Sequence, residues 1–224
     1  NGLPLEYVAF TLPTTYNNLL PSNLRGHLPP SGTPAFFASV VEPNMLHLWK
    51  FQVDWSNPSS STFTGPTDLA LPLFVMPCYA AYYLNCVPQK FGESVDGLGD
   101  RLMMQLQYRD VDGVEALWLN HTVATDSAIG IPTGVRWYEI RNPNGAPVLN
   151  QAGTLQPEAL YRWMGSLAVD KDGNMALGYS VSSAGMYPAI RYTGRLGSDP
   201  LNILQTESTL IQGTVSQSGG YSRW

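Results

Sequence analysis

Apolar and polar residues alternate over short stretches of this chain, and alternation with a period of two predicts half-buried β-strands. One face of the segment 101–108 is predicted to carry the large apolar side chains Leu102, Met104, Leu106 and Tyr108. The segment 46–55 shows the same pattern, because Trp49, Phe51, Val53 and Trp55 alternate with Lys50, Gln52 and Asp54. The pattern therefore indicates a series of short strands.

These strands recur at an interval of about 61 residues, which is the spacing between Arg101, Arg162 and Arg223. Each clear copy reads strand, Asp-Gly hairpin, strand, loop, strand. Gly113 and Gly173 stand in the two hairpins, where glycine can adopt the positive φ that a tight turn requires. A more divergent copy lies in 35–55, and 221–224 is expected to begin another.

Repeats of this length with several antiparallel strands are typical of β-propellers. We predict an all-β fold, a β-propeller present as about three to four blades and incomplete within residues 1–224. The predicted parts are blades at roughly 30–72, 98–160 and 161–220, a cysteine-containing insertion at 73–97, and the start of a further blade at 221–224. Blade faces containing Trp55, Leu167 and Tyr192 are expected to be open to water unless further polypeptide or neighbouring chains cover them.

The composition excludes several classes of function. Charged residues form only 13% of the chain, the net charge is -5 and Lys plus Arg total 12, so a nucleic-acid partner is not expected. The longest apolar stretch, Leu69–Tyr83, is broken by prolines, which argues against a membrane span. The first ten residues lack the features of a signal peptide.

Cys78 and Cys86 are the only two cysteines, and they lie in a proline-containing, loop-like segment. A disulfide between them would suit an oxidising compartment, whereas the alternative is two separate free thiols. No histidine or further cysteine lies close enough in sequence to complete a metal site. We expect neither a metal nor another cofactor.

From about Pro30 onward the chain resembles a group of secreted, mostly uncharacterised bacterial β-propeller proteins, the sialidase-like or bacterial neuraminidase repeat group. The segments that carry the resemblance are Leu48–Trp55, Ser61–Pro66, Leu98–Met103, Asn120–Val123, Gly134–Arg141 and Arg162–Ser166 through Arg195. The resemblance implies a Cys78–Cys86 disulfide and export from the cell. It does not imply sialidase activity, because 169–176 lacks the Ser and the Trp of a sialidase Asp-box.

The repeat places Arg101, Arg162 and Arg223 at the start of successive first strands. If those strands are innermost, the three arginines converge on one axis and form a site for an anion or an acidic sugar, since guanidinium groups bind carboxylates in a bidentate manner. The alternative is that each arginine pairs with a nearby acid such as Asp100, or stacks on a tryptophan such as Trp163.

Other residues have both a functional and a structural interpretation. His121 could exchange protons near neutral pH, but a structural histidine is the simpler interpretation. Asn120 begins a glycosylation sequon within a predicted strand. The aromatic residues that could contact sugars, or instead pack between blades, are Trp137, Tyr138, Tyr179 and Tyr192.

Two functions follow. The first is an exported, non-catalytic propeller module, located outside the cell or at its surface, that binds a glycan or a protein or assembles there. The alternative is a sialidase-like, glycan-acting hydrolase with an arginine-lined axial site. A hydrolase would need two carboxylates facing each other across the sugar, and the acids near the repeats form no such pair in the sequence.

Overall fold

The computed structural model describes residues 7–78, 85–124 and 131–219. A short 3₁₀ turn, Pro58–Ser60, lies between two of the strands. The strands are β1 (Leu20–Leu24), β2 (Ala35–Val41), β3 (Met45–Gln52), β4 (Thr62–Ala70), β5 (Asn85–Val87), β6 (Val95–Asp96), β7 (Leu102–Val111), β8 (Val114–Val123), β9 (Gly134–Arg141), β10 (Val148–Leu155), β11 (Tyr161–Val169), β12 (Met175–Ser183), β13 (Met186–Arg195) and β14 (Ser208–Ile211).

Three antiparallel meanders of four strands each form the body of the protein. The first meander is β1–β4, the second is β7–β10 and the third is β11–β14. The first two join into one eight-stranded sheet because β1 and β7 pair in parallel. The third meander is a separate sheet, and β5 and β6 form a small ribbon.

The meanders are held together by two apolar cores. The first core lies between the first and second meanders, so the eight-stranded sheet curls and its halves face each other. Its members include Phe36, Leu46, Leu106, Leu117 and Tyr138. The second core lies between the second and third meanders. It contains Trp118, Trp137, Leu167, Leu177 and Tyr179.

Hydrogen bonds also join the second meander to the third. Gln107 on β7 is 1% exposed, and its amide nitrogen donates to the Val169 carbonyl at 2.8 Å. The Val169 amide donates in return to the Gln107 side-chain oxygen at 2.9 Å. Thr133 and Arg162 exchange a second pair of hydrogen bonds at 2.8 and 2.9 Å. The polar groups of Gln107 and Thr133 and the backbone groups of Val169 and Arg162 therefore have partners there, which avoids the cost of leaving them unsatisfied.

The all-β prediction is confirmed, and so is the order of strands and hairpins in the two clear copies. Gly113 and Gly173 have φ of 81° and 76°, as expected for the turns they occupy. The Asp110 carboxylate accepts a hydrogen bond from the Gly113 amide at 2.8 Å, which closes the first turn. The first meander begins at Leu20, upstream of the range 30–72, because β1 pairs with β2.

Two predictions of exposure were wrong. Met104 is 73% exposed, since the ladder between β7 and β8 has an irregularity between Met103 and Gln107 that breaks the period of two. Leu167 is 1% exposed, because it lies opposite Leu177 on the face that packs in the second core. Trp55 and Tyr192 are exposed, as predicted, at 87% and 47%.

A disulfide joins Cys78 to Cys86 and closes the insertion that precedes the second meander. The adjacent β5 and β6 contribute Val87 and Val95 to a small third core. Tyr161 and Trp163 of β11 complete this core, so the insertion packs onto the third meander. No helix in the described part of the chain is long and apolar enough to cross a membrane.

Candidate functional site

Arg101 lies just before β7 and binds the side chain of its own neighbour. Its Nε and one Nη donate to the two carboxylate oxygens of Asp100, each at 2.8 Å. The hydrogen bond to Asp100 raises the pKa of Arg101. The side chain is 36% exposed, so the pair forms a partly exposed bidentate salt bridge.

Arg162 occupies the corresponding position in the next repeat, but it is completely buried. Its Nε and Nη2 donate to the two carboxylate oxygens of Glu207 at 3.0 and 2.7 Å. Nη2 also donates to Glu158 at 2.7 Å, and Nη1 donates to the Leu160 carbonyl at 3.3 Å. Burial disfavours the charged guanidinium, yet the hydrogen bonds with Glu207 and Glu158 raise its pKa. Arg162 is therefore held as a cation inside the third meander.

Glu207 is the centre of this buried ion network. It also accepts hydrogen bonds from the Tyr179 hydroxyl and from Arg191. Burial acts to raise the pKa of Glu207, but Arg162, Tyr179 and Arg191 together lower it to about 2. Burial and the neighbouring Glu207 raise the pKa of Tyr179. The network thus has two cations, Arg162 and Arg191, against the carboxylates of Glu158 and Glu207.

This network connects parts of the third meander that are distant in sequence. Its members come from β11, β12, β13, the loop before β11 and the loop before β14. Arg162 and Tyr179 are 0% and 2% exposed, so a substrate could not reach either group without opening the fold. The arrangement is suited to fixing the loops against the sheet.

Arg101 and Arg162 therefore each bind a carboxylate close by in the fold. This is the alternative that the sequence offers to a shared arginine site. Arg101 and Arg162 bind different carboxylates, and Arg223 lies outside the described residues. A site shared by the three arginines stays a prediction.

His121 is enclosed in the first core region. Its Nε2 is 2.9 Å from the Tyr138 hydroxyl, and its ring packs edge-on against Phe74 with centroids 4.8 Å apart. Burial, followed by the charge on Arg136, lowers the pKa of His121 to about 3. It is therefore neutral at physiological pH, which supports the structural interpretation. Asn120 is also fully buried, so its side chain is not available for glycosylation in the folded protein.

Three of the four candidate sugar-binding aromatics are buried. Trp137 and Tyr138 are 0% exposed and Tyr179 is 2% exposed. Trp137 stacks on Trp118 with ring centroids 6.3 Å apart, within the second core. Tyr192 is accessible, and its side chain lies on the side of the third meander that faces away from the second core.

A polar cleft of about 290 Å³ opens between the second and third meanders, beside their two Asp-Gly turns. We call it the hairpin cleft, and its polar lining comprises Asp112, Glu139, Arg141, Gln151, Asp172 and Arg195. Arg141 donates to Glu139 at 2.6 Å, and Arg195 donates from one Nη to the Asp199 carbonyl at 2.7 Å. The Arg195 Nε is buried and has no hydrogen-bond partner among the described residues.

Adjacent guanidinium donors and carboxylate acceptors match the chemistry of hydroxyl groups, each of which can donate and accept a hydrogen bond. Glu139 and Arg195 are only 2% and 4% exposed, so Arg141, Asp112 and Asp172 are the charged groups of the hairpin cleft that solvent reaches. The sequence reasoning identified the two turns beside this cleft but not Glu139, Arg141 and Arg195 as a group. The available signal was that Arg141 and Arg195 end the third strand of each copy.

Within the described residues, no group of three or more His, Cys, Asp or Glu side chains is placed to hold a metal ion. Comparison with family models, curated proteins and solved structures finds no match for this chain.

Proposed function

We propose that this protein is an exported, non-catalytic β-propeller module that binds a glycan or a protein, or assembles with neighbouring chains at the cell surface. The observation that carries the proposal is the face-to-face stacking of three successive four-stranded meanders. Propeller blades are four-stranded antiparallel sheets arranged in this way around an axis. The parallel pairing of β1 with β7, the first strands of two successive meanders, supports a common axis.

Export is supported by the Cys78–Cys86 disulfide, since such bonds persist in oxidising compartments. A module of this kind would have its open blade faces covered by further polypeptide or by neighbouring chains. The hairpin cleft is a concave surface that presents both guanidinium donors and carboxylate acceptors, so we assign ligand binding to it.

The geometry favours binding over hydrolysis. Glu158 and Glu207 lie close together, because both accept a hydrogen bond from the same Nη2 of Arg162. A glycosidase needs one carboxyl group that stays protonated to act as an acid, and this requires a raised pKa. The pKa of Glu207 is lowered instead, to about 2, so this carboxylate remains ionised.

The proposal is tested with a glycan array and a panel of secreted proteins probed with the labelled chain. We expect binding without turnover, and we expect a double variant, Asp172→Asn with Asp112→Asn, to lose the binding while keeping its melting temperature, because Asn tolerates the positive φ of Asp112. The matched control is Asp68→Asn, which removes an exposed carboxylate outside the hairpin cleft. The proposal fails if the chain binds none of the probes, or if it releases sugar from a glycan that it binds.

A further inference from the structure

The third meander exposes to solvent most of the side of its sheet that faces away from the second core, and the insertion covers the remainder at Trp163 and Ser182. Residues that pair across neighbouring strands point to the same side, and three such rows run across this sheet. We call this side the outer face. Its rows are Ala168–Ala176–Gly194, Ser166–Gly178–Tyr192–Ser208 and Ser180–Ile190–Ile211.

The outer face contains no charged side chain in these three rows. Sheet faces in contact with water normally carry polar and charged residues that alternate with the apolar residues of the core face. Depletion of charge is instead the compositional mark of the centre of a protein interface. Ile190, Tyr192 and Ile211 are 41%, 47% and 57% exposed, so the apolar side chains of this face meet water directly.

The opposite end of the stack is covered by the chain itself. The side of the first meander that faces away from the first core receives the N-terminal segment. The Phe10 ring packs on Phe51 and Phe63 with centroids 6.0 and 5.8 Å apart. Tyr16 packs on Trp49 with centroids 5.2 Å apart, and Trp49 is fully buried. The stack therefore has one covered end and one bare end.

We propose that the outer face pairs with the outer face of a second copy of this chain. This inference rests on the assembly part of the proposed function and is independent of ligand binding. A head-to-tail contact would need the N-terminal segment to leave the first meander, whereas a two-fold contact between two bare ends needs no rearrangement.

The two halves of the outer face are complementary in size. The solvent-exposed part of the β11–β12 half carries small residues, namely Ser166, Ala168, Ala176, Gly178 and Ser180, whereas Trp163 beside Ser180 is buried under the insertion. The β13–β14 half carries the bulky residues Ile190, Tyr192 and Ile211. A two-fold axis that lies in the interface and runs along the strands between β12 and β13 places the bulky half of each copy over the small half of the other. None of the described residues comes within 4 Å of a Cβ placed on Gly178, so this half can receive a partner's side chain.

The size of the face sets the expected affinity. Four strands about 4.8 Å apart and roughly seven residues long give a flat area of about 450 Å² for each copy. Side-chain relief increases this area, and the total for two copies approaches the lower end of specific interfaces, about 1,200 Å². Because translational and rotational entropy must also be overcome, we expect a dissociation constant on the order of micromolar.

Sedimentation velocity over about 1 to 200 μM tests the proposal. The 24.5 kDa chain is expected to shift from monomer to a discrete dimer across this range. Tyr192→Lys and, on the small half, Ala176→Lys should each leave a monomer at every concentration without lowering the melting temperature. Because the two variants act on different strands, misfolding of one leaves the other as the test. The matched control is Ile203→Lys, which changes an exposed isoleucine outside the outer face and should still dimerise.

A monomer at the highest concentration overturns the proposal. So does association that continues to larger species, or a dimer that survives the outer-face substitutions but not Ile203→Lys. None of these outcomes depends on the glycan array, so failure of the dimer and failure of ligand binding can be told apart.

Discussion

Arg162 and Arg101 are equivalent in the repeat but differ in burial, and this difference predicts how their loss affects stability. Arg162→Met keeps the length of the apolar stem and removes all four hydrogen bonds to Glu207, Glu158 and Leu160. Removing one partner of a buried ion pair costs about 3 to 5 kcal/mol, because the other charge stays buried without its partner. Glu207 retains Arg191 and Tyr179, so we expect a cost near the lower end, about 3 kcal/mol.

Arg101→Met provides the control, since it makes the same substitution one repeat earlier. Arg101 is 36% exposed and pairs with Asp100 at the surface, where a salt bridge contributes at most about 1 kcal/mol. Urea denaturation at pH 7, monitored by circular dichroism, gives the free energy of unfolding of each variant. In a thermal scan, about 3 kcal/mol corresponds to a fall of roughly 6 to 12 °C for a chain of this size.

Two results would contradict the expected difference in stability. One is that Arg162→Met lowers the free energy of unfolding as little as Arg101→Met does. The other is the outcome that a shared arginine site predicts, in which both variants lose affinity for an acidic ligand while neither loses much stability.

Three further changes test other parts of the structure. The ion network should stabilise the fold fully above pH 4.5, the pKa of Glu207 in the unfolded chain. The free energy of unfolding should fall by on the order of 3 kcal/mol as the pH drops to the folded-state pKa of about 2 and below. Glu207→Gln should flatten that part of a curve of stability against pH. His121 is neutral and buried in the folded protein, so below pH 6.5 only the unfolded chain takes up its proton. The free energy of unfolding should therefore be lower by roughly 1.4 kcal/mol at pH 5.5. A His121→Gln variant with the same pH dependence of stability would contradict the assignment. Gly165→Ala places a Cβ 2.3 Å from the buried Asn120 Oδ1, and a urea titration should show a loss of about 1 to 3 kcal/mol in the free energy of unfolding. Gly178→Ala is the control, because its Cβ meets none of the described residues within 4 Å, and it should be close to neutral.

The sequence was most informative where a local rule determines the structure. Gly113 and Gly173 each sit in a tight turn at a positive φ, which glycine adopts without strain, so the two hairpins were predictable one residue at a time. Alternation identified the buried face of β7 correctly at Leu102, Leu106 and Tyr108. It failed at Met104, because an irregularity in a strand ladder leaves no mark in the alternation of residue types.

The environment of the candidate site could not be predicted in the same way. The carboxylate that binds Arg162 most extensively, Glu207, lies 45 residues away in a loop, and no short-range spacing connects the two. The repeat makes Arg101 and Arg162 equivalent in sequence. Their opposite burial depends on which loops fold over each strand, and those loops differ between the copies.

Binding of a ligand without its chemical conversion is measured in a single assay. The chain is incubated at micromolar concentration with an oligosaccharide that it binds, and the free sugar released is quantified alongside the bound fraction. We expect saturable binding and sugar release no faster than in buffer alone. Release that scales with protein concentration and disappears in Glu207→Gln would contradict this expectation and identify the ion network as a catalytic centre.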